Sequence, residues 1–164
     1  MKIILYPHGG SGNHGCEAIV RSTAKIFSKY HFTLFSSKKE EDKKFGLDKI
    51  CNIESERSPL SRFSIRYWKA FFQTKFKKDK EAYDRALFHP IYHEAKNCDY
   101  ALSIGGDNYC YDGKPKALAS LNDELHYKGA TTVLYGCSIE PELLQNTRLH
   151  RLMCFPYRFL QYLI

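Results

Sequence analysis

No stretch of this chain approaches the roughly 18 unbroken apolar residues that a membrane-spanning helix needs. The opening run Met1-Lys2-Ile3-Ile4-Leu5-Tyr6 is too short for the apolar core of a signal peptide, and Pro7 with a glycine cluster stands where a small-residue cleavage site would be. The expectation is a cytoplasmic protein, at most lying against the inner face of the membrane. Cys16, Cys51, Cys98, Cys110, Cys137 and Cys154 are scattered, with no C-x-x-C pair and no zinc-ligand spacing. Without an export signal they read as free thiols rather than a disulfide framework. Internal repeats and low-complexity tracts are absent too.

What is present suits one domain. The 164 residues are enough to bury a sizeable core, and 43% hydrophobic with 26% charged residues is ordinary for a globular protein. Acids are outnumbered, with a formal net charge of +7. Much of that excess lies between Arg57 and Lys80, which favours acidic partners such as phosphorylated metabolites, anionic lipid or nucleic acid. Mixed basic and aromatic residues around Lys75-Phe76-Lys77-Lys78 suit a non-enzymatic basic binding module. No RNP, zinc-finger or helix-turn-helix pattern accompanies them, so nucleic acid is not the expected partner.

The hydrophobic pattern reads as β-α-β, an insert, then α-α-β-α-β-α. Strands are predicted over Lys2–Tyr6, His31–Phe35, Ile50–Ile53, Asp99–Ile104 and Thr131–Tyr135. After the first strand comes a helix carrying Ala18, Ile19, Ala24, Ile26 and Phe27. Ser36–Lys49, dense in charge of both signs, reads as a solvated loop. Ser61–Phe76 reads as a helix with Phe63, Tyr67, Trp68, Phe71, Phe72 and Phe76 on one side. A second helix starts near Asp79 and is interrupted or ended by Pro90. Lys116–Lys128 reads as a helix stopped by Gly129, and Pro141 opens a last one. Strands alternating with helices predict an α/β, Rossmann-like domain, its mostly parallel sheet covered by helices on both faces.

Two glycine-rich loops each follow a strand, and in such sheets ligands bind beyond the carboxyl strand ends where strand order reverses. The first runs Gly9-Gly10-Ser11-Gly12-Asn13-His14-Gly15. Its glycines allow close backbone approach, and the helix opening at Gly15 would aim unpaired N–H groups at an anion. Gly10, Ser11, Gly12, Asn13, His14 and Gly15 are therefore candidate ligand-binding residues, with Glu17 as an acceptor for a sugar hydroxyl. Gly10-x-Gly12-x-x-Gly15 also matches the dinucleotide fingerprint. Pro7-His8-Gly9 pushes it away from the strand end, and Ser36-Ser37-Lys38-Lys39 replaces the acid of NAD proteins, which keeps an NADP-binding oxidoreductase domain as an alternative. In the second loop, Gly105, Gly106, Asp107 and Asn108 are candidate ligand-binding residues, with Asp107 also the candidate general base and Tyr109, Tyr111 and Asp112 beyond. His89 and His93 have the spacing of helical metal ligands, but Pro90 between them and the absence of nearby partners favour packing, and no metal is expected.

Three segments, GGSGNHGCEAIVRST (9–23), YALSIGGDNYCYD (100–112) and VLYGCSIEP (133–141), together resemble the polysaccharide pyruvyl transferase family. The resemblance implies one Rossmann-like lobe of a two-lobed architecture similar to B-type glycosyltransferases. It implies transfer of pyruvate as a ketal from phosphoenolpyruvate to a sugar of a cell-surface polysaccharide, with no cofactor beyond that donor. The family carries an acid where this chain has Cys16, and Glu17 is the nearest substitute. On this reading residues 1–144 form the N-terminal lobe, 145–164 are an atypical tail such as a frameshift leaves, and the second lobe is missing. The chain alone is then expected to be a partial, inactive fragment. Exposed apolar surface, including tail residues Leu152, Met153, Phe155, Phe159 and Leu160, would favour self-association. The acceptor implied is a sugar or lipid-linked oligosaccharide. Residues 62–80 are expected to pack their aromatic side on the sheet, or else to lie on anionic lipid through Arg62, Arg66, Lys69, Lys75, Lys77 and Lys78.

Overall fold

Along β1 (Lys2–His8) successive side chains alternate between two cores. Ile3 and Leu5 enter one, Ile4 and Tyr6 the other, and all four are buried. A strand apolar on both sides belongs in the middle of a parallel sheet, and β1 is the central strand. The computed structural model describes residues 1–110 and 114–138. Their elements, in chain order, are β1, α1 (His14–Ile26), β2 (His31–Ser36), α2 (Lys39–Lys44), a 3-10 turn (Leu47–Lys49), β3 (Asn52–Ser55), α3 (Ile65–Lys77), α4 (Ala82–Leu87), α5 (His89–Ala95), β4 (Tyr100–Ile104), α6 (Lys114–Tyr127) and β5 (Thr131–Tyr135).

The strands form one sheet in the order β3-β2-β1-β4-β5, and every pairing is parallel. The fold is α/β and Rossmann-like, as predicted. One core packs Ile4, Tyr6 and Ala101 against Phe88, Ile91, Leu118, Leu121 and Leu125 of the α5–α6 side. The other packs Ile3, Leu5, Leu34 and Leu102 against Val20 of α1 and Leu47. The chain leaves β1 toward β2 and β3 on one side, then crosses to β4 and β5 on the other. The strand order thus reverses between β1 and β4, and the two glycine-rich loops follow these neighbouring strands.

Several local expectations are corrected. Ser36–Lys49 is not a solvated loop: it contains α2 and the 3-10 turn, and Asp42 and Leu47 are buried. Its charges mislead because one carboxylate turns inward to a loop distant in sequence. The strand placed at Ile50–Ile53 lies at Asn52–Ser55. The helix from Asp79 is two short helices that meet at Phe88, and Pro90 sits in the first turn of α5, where its missing N–H costs nothing. In α3, Trp68, Phe72 and Phe76 face solvent while Tyr67 and Phe71 are half-buried, and the helix packs on α4 rather than laying its aromatic side on the sheet. Tyr111, Asp112, the helix from Pro141 and the tail lie outside the described residues.

Candidate functional site

Beyond the carboxyl ends of β1 to β4 lies a crevice of about 500 Å³. Pro7, His8 and Gly9 at the end of β1, Ser36 and Ser37 at the end of β2, and Ser55, Glu56 and Arg57 at the end of β3 form much of its wall. Phe88, Asn108, Ala117 and Leu118 complete it. Hydroxyls, an amide, a guanidinium and an imidazole thus converge around a partly apolar hollow, the composition of a site for a small polar ligand. The Arg57 guanidinium lies 4.9 Å from the centre of the Phe88 ring, and its Nε is 3.3 Å from Glu56 Oε1. Packed against one group and paired with the other, its planar fork is held at the crevice.

His8 is the crevice's titratable centre. Its Nε2 is 3.1 Å from Asp42 Oδ1, and both side chains are buried. The same Oδ1 accepts from the Ser11 N–H at 2.8 Å and from the Ser11 hydroxyl at 2.7 Å. A carboxylate facing Nε2 selects the tautomer with the proton there, leaving Nδ1 as the basic nitrogen. Among the described residues Nδ1 has no hydrogen-bond partner. Burial lowers the His8 pKa below its ordinary value, and the Asp42 carboxylate only partly offsets that. The result is a neutral, oriented imidazole on a ligand-sized crevice, the condition a general base requires.

The first glycine loop does not present the row of free N–H groups expected of it. The Gly12 N–H donates to Glu41 Oε1 at 2.7 Å, the Ser11 N–H goes to Asp42, and the Asn13 N–H returns to the Gly10 carbonyl at 3.3 Å. Asn13 turns inward as the cap of α1, its Oδ1 accepting from the Gly15 N–H at 3.0 Å. Two carboxylates of α2 therefore stand where a ligand anion was expected. Gly10 has φ +104°, and a Cβ there would press on the Lys38 and Glu41 side chains. His14 is exposed, with Nδ1 3.4 Å from Glu17. Glu17 is held by the Arg21 Nε–H at 2.7 Å, which keeps its carboxyl below the usual range. Lys38 and Lys39 pair with Glu41 and Glu54 at 3.4 and 3.0 Å. Both loop amides and lysines being engaged argues against a dinucleotide's phosphates at this place.

The second loop contributes through Asn108, which lines the crevice. Its amide donates to the Ile104 carbonyl at 2.9 Å and reaches the Pro7 carbonyl at 3.5 Å, tying the ends of β4 and β1 together. Gly105 has φ +119°, and a Cβ on it would collide with that amide. Gly106 accepts from the Ser138 N–H. Asp107 is exposed and is not among the residues lining the crevice. Beneath the floor, Tyr6 donates to Asn122, Asn122 donates to Tyr109, and Tyr109 pairs with Ser103, all buried and within 3.0 Å.

Of the sequence-predicted binding residues, then, Asn108 reaches the crevice, and the first loop borders it only through Gly9. His8, Asp42, Ser55, Arg57 and Phe88 were missed. His8 stood in plain view after a strand, but nothing local marks Asp42 as its partner 34 residues away. Among the described residues no group of three metal-ligating side chains gathers, and no helix is long and apolar enough to cross a membrane. No curated protein and no solved structure matches the chain. The family model for polysaccharide pyruvyl transferase matches residues 13–153, which include α1 through β5 and the loops after β2, β3 and β4. By that match the chain belongs to the polysaccharide pyruvyl transferase family.

Proposed function

We propose that this chain takes part in moving a pyruvyl unit from phosphoenolpyruvate onto two hydroxyls of one sugar in a polysaccharide, and that the crevice holds the sugar. The observation that carries the reading is the neutral His8 imidazole, fixed by buried Asp42, opening on a hydroxyl-lined hollow in a member of this family. Ser37, Ser55 and Asn108 suit a ring of hydroxyls, which both donate and accept. Arg57 suits the donor's carboxylate or phosphate.

In the reaction, the first sugar oxygen attacks C2 of the enol phosphate as the methylene carbon gains a proton and becomes a methyl group. The C–O bond to phosphate then breaks, and the second sugar oxygen closes the ketal at C2. Two hydroxyl protons are released: one balances the methyl group and the other leaves with phosphate. His8 Nδ1 is the acceptor for a hydroxyl proton, and Asp42 stabilises the imidazolium that forms. His8 thus takes the base role that the sequence suggested for Asp107. The acceptor on this reading is a sugar or a lipid-linked oligosaccharide.

Titration calorimetry of the full chain with phosphoenolpyruvate, a panel of sugars and NADP(H) tests this. A few hydrogen bonds netting about 0.5–1.5 kcal/mol each give sugar affinity near the millimolar range. His8→Gln weakens it, and Asp107→Asn leaves it unchanged. Tight NADP(H) binding without sugar binding would overturn the proposal.

A further inference from the structure

Helix α3 has two apolar faces, and the fold uses one. Ala70 is buried on the inner side, where Tyr67 meets Tyr83 of α4 edge-on at 5.9 Å. At about 3.6 residues per turn, Ile65, Trp68, Phe72 and Phe76 fall in a stripe on the opposite side. The stripe is continuous: Trp68 and Phe72 ring centres are 6.2 Å apart, and Phe72 stacks on Phe76 at 5.7 Å. Exposure runs from 49% at Trp68 to 87% at Ile65, with Phe63 at 98% just before the helix. A contiguous aromatic patch of this kind on a water-facing helix marks a surface that something covers.

The charges around it say what. The α3 segment contains no acid. Lys69 and Lys75 fall on either side of the stripe by helical position, Lys77 and Lys78 close its end, and all four are exposed. Lysine stems can run along the aromatic rings and carry their charges outward, which suits a plane that is apolar below and anionic above. A second copy fits poorly, because a two-fold contact between identical faces would press these lysines on one another. We propose that this face of α3 docks on an anionic lipid bilayer, with the helix lying in the interfacial plane. The proposal stands apart from the pyruvyl-transfer reading, since it uses neither the crevice nor the family.

Trp68 is the only tryptophan of the chain, so its fluorescence reports on this face directly. The full chain is titrated with vesicles of phosphatidylcholine mixed with phosphatidylglycerol, and with pure phosphatidylcholine. The expected result is a blue shift of Trp68 emission, quenching by brominated acyl chains, and at least about tenfold stronger partition into the anionic vesicles, weakening as salt rises. Lys69→Gln with Lys75→Gln lowers the partition about thirtyfold. Phe72→Ser with Phe76→Ser abolishes the shift, with the circular dichroism spectrum retained in both variants. Unchanged emission, or equal partition into the neutral vesicles, would overturn the proposal. Emission already blue before lipid is added overturns it as well: in a dimer a second copy covers the face, and in a monomer another part of the chain does.

Discussion

Asp42→Ala tests whether α2 exists to hold the first loop. The side chain is fully buried, and its Oδ1 accepts three hydrogen bonds: two from Ser11 and one from His8. Alanine leaves the Ser11 N–H, the Ser11 hydroxyl and the His8 Nε2–H facing a small void. A buried donor left unpaired costs about 1–3 kcal/mol, so three give a gross loss of roughly 3–9 kcal/mol. Two effects reduce that. The Ser11 hydroxyl can rotate and water can enter the gap, and the variant no longer buries a carboxylate whose Oδ2 has no partner. A net loss of about 3–4 kcal/mol follows, in line with one-sided removal from other buried pairs. For a chain of this size that lowers Tm by roughly 6–16 °C. Asp42→Asn is the control. It keeps an acceptor at Oδ1 for Ser11 and His8, but loses the strength that charge adds and buries an amide where Oδ2 has no partner, for about 1–3 kcal/mol. Urea denaturation of the three proteins measures both differences. If alanine unfolds within about 1 kcal/mol of wild type, Asp42 does not anchor the loop. If asparagine is as damaging as alanine, the acceptor at Oδ1 alone does not hold the loop.

Stability should also follow pH through His8. Its folded-state pKa is lowered by burial, so the proton binds the unfolded chain more readily. The contribution is complete above the ordinary histidine value of about 6.5 and is lost as pH falls from there through the folded pKa. Denaturation midpoints between pH 7.5 and 5 should fall less steeply in His8→Gln, and identical slopes would show that His8 does not titrate as argued. Gly105→Ala forces an unfavourable φ and displaces Asn108, for about 2–4 kcal/mol, whereas Gly106→Ala, with open space at its Cβ position, stays within about 0.5 kcal/mol. Equal melting temperatures for these two variants would contradict the Asn108 tie between β4 and β1.

How far the sequence could be read depends on where the information lies. The strands around the centre were legible because an apolar run such as Ile3-Ile4-Leu5 can be satisfied only with helices on both sides. The switch point followed from the strand–helix alternation and the two glycine loops. Asp42 was illegible for the opposite reason. Within Lys38-Lys39-Glu40-Glu41-Asp42-Lys43-Lys44 nothing distinguishes it from its neighbours, five of which take part in exposed or half-exposed ion pairs. Its burial is decided by a loop 31 residues earlier that has donors to spare. For α3, periodicity gave the helix but not which of its two apolar faces turns inward, because aromatic residues occur on both.

The glycine loop shows why a motif's geometry and its use must be argued separately. Glycines bring backbone N–H groups close to whatever carboxylate or phosphate stands nearby, and the local sequence does not say whether that anion is a ligand or another part of the chain. Here α2 supplies it twice, through Glu41 and Asp42, and the loop then passes to α1 on the Leu5 and Val20 side of the sheet. The crevice draws Phe88 and Leu118 from the opposite side. With the loop satisfied internally, the strand ends line the crevice through His8, Ser37, Ser55 and Arg57, while the buried Ser36 hydroxyl accepts from the Lys38 N–H. The internal carboxylates are thus tied to the site rather than in competition with it, since Asp42 bonds Ser11 and His8 through one oxygen. A ligand anion that displaced Asp42 would also release the imidazole on which the proposed chemistry rests.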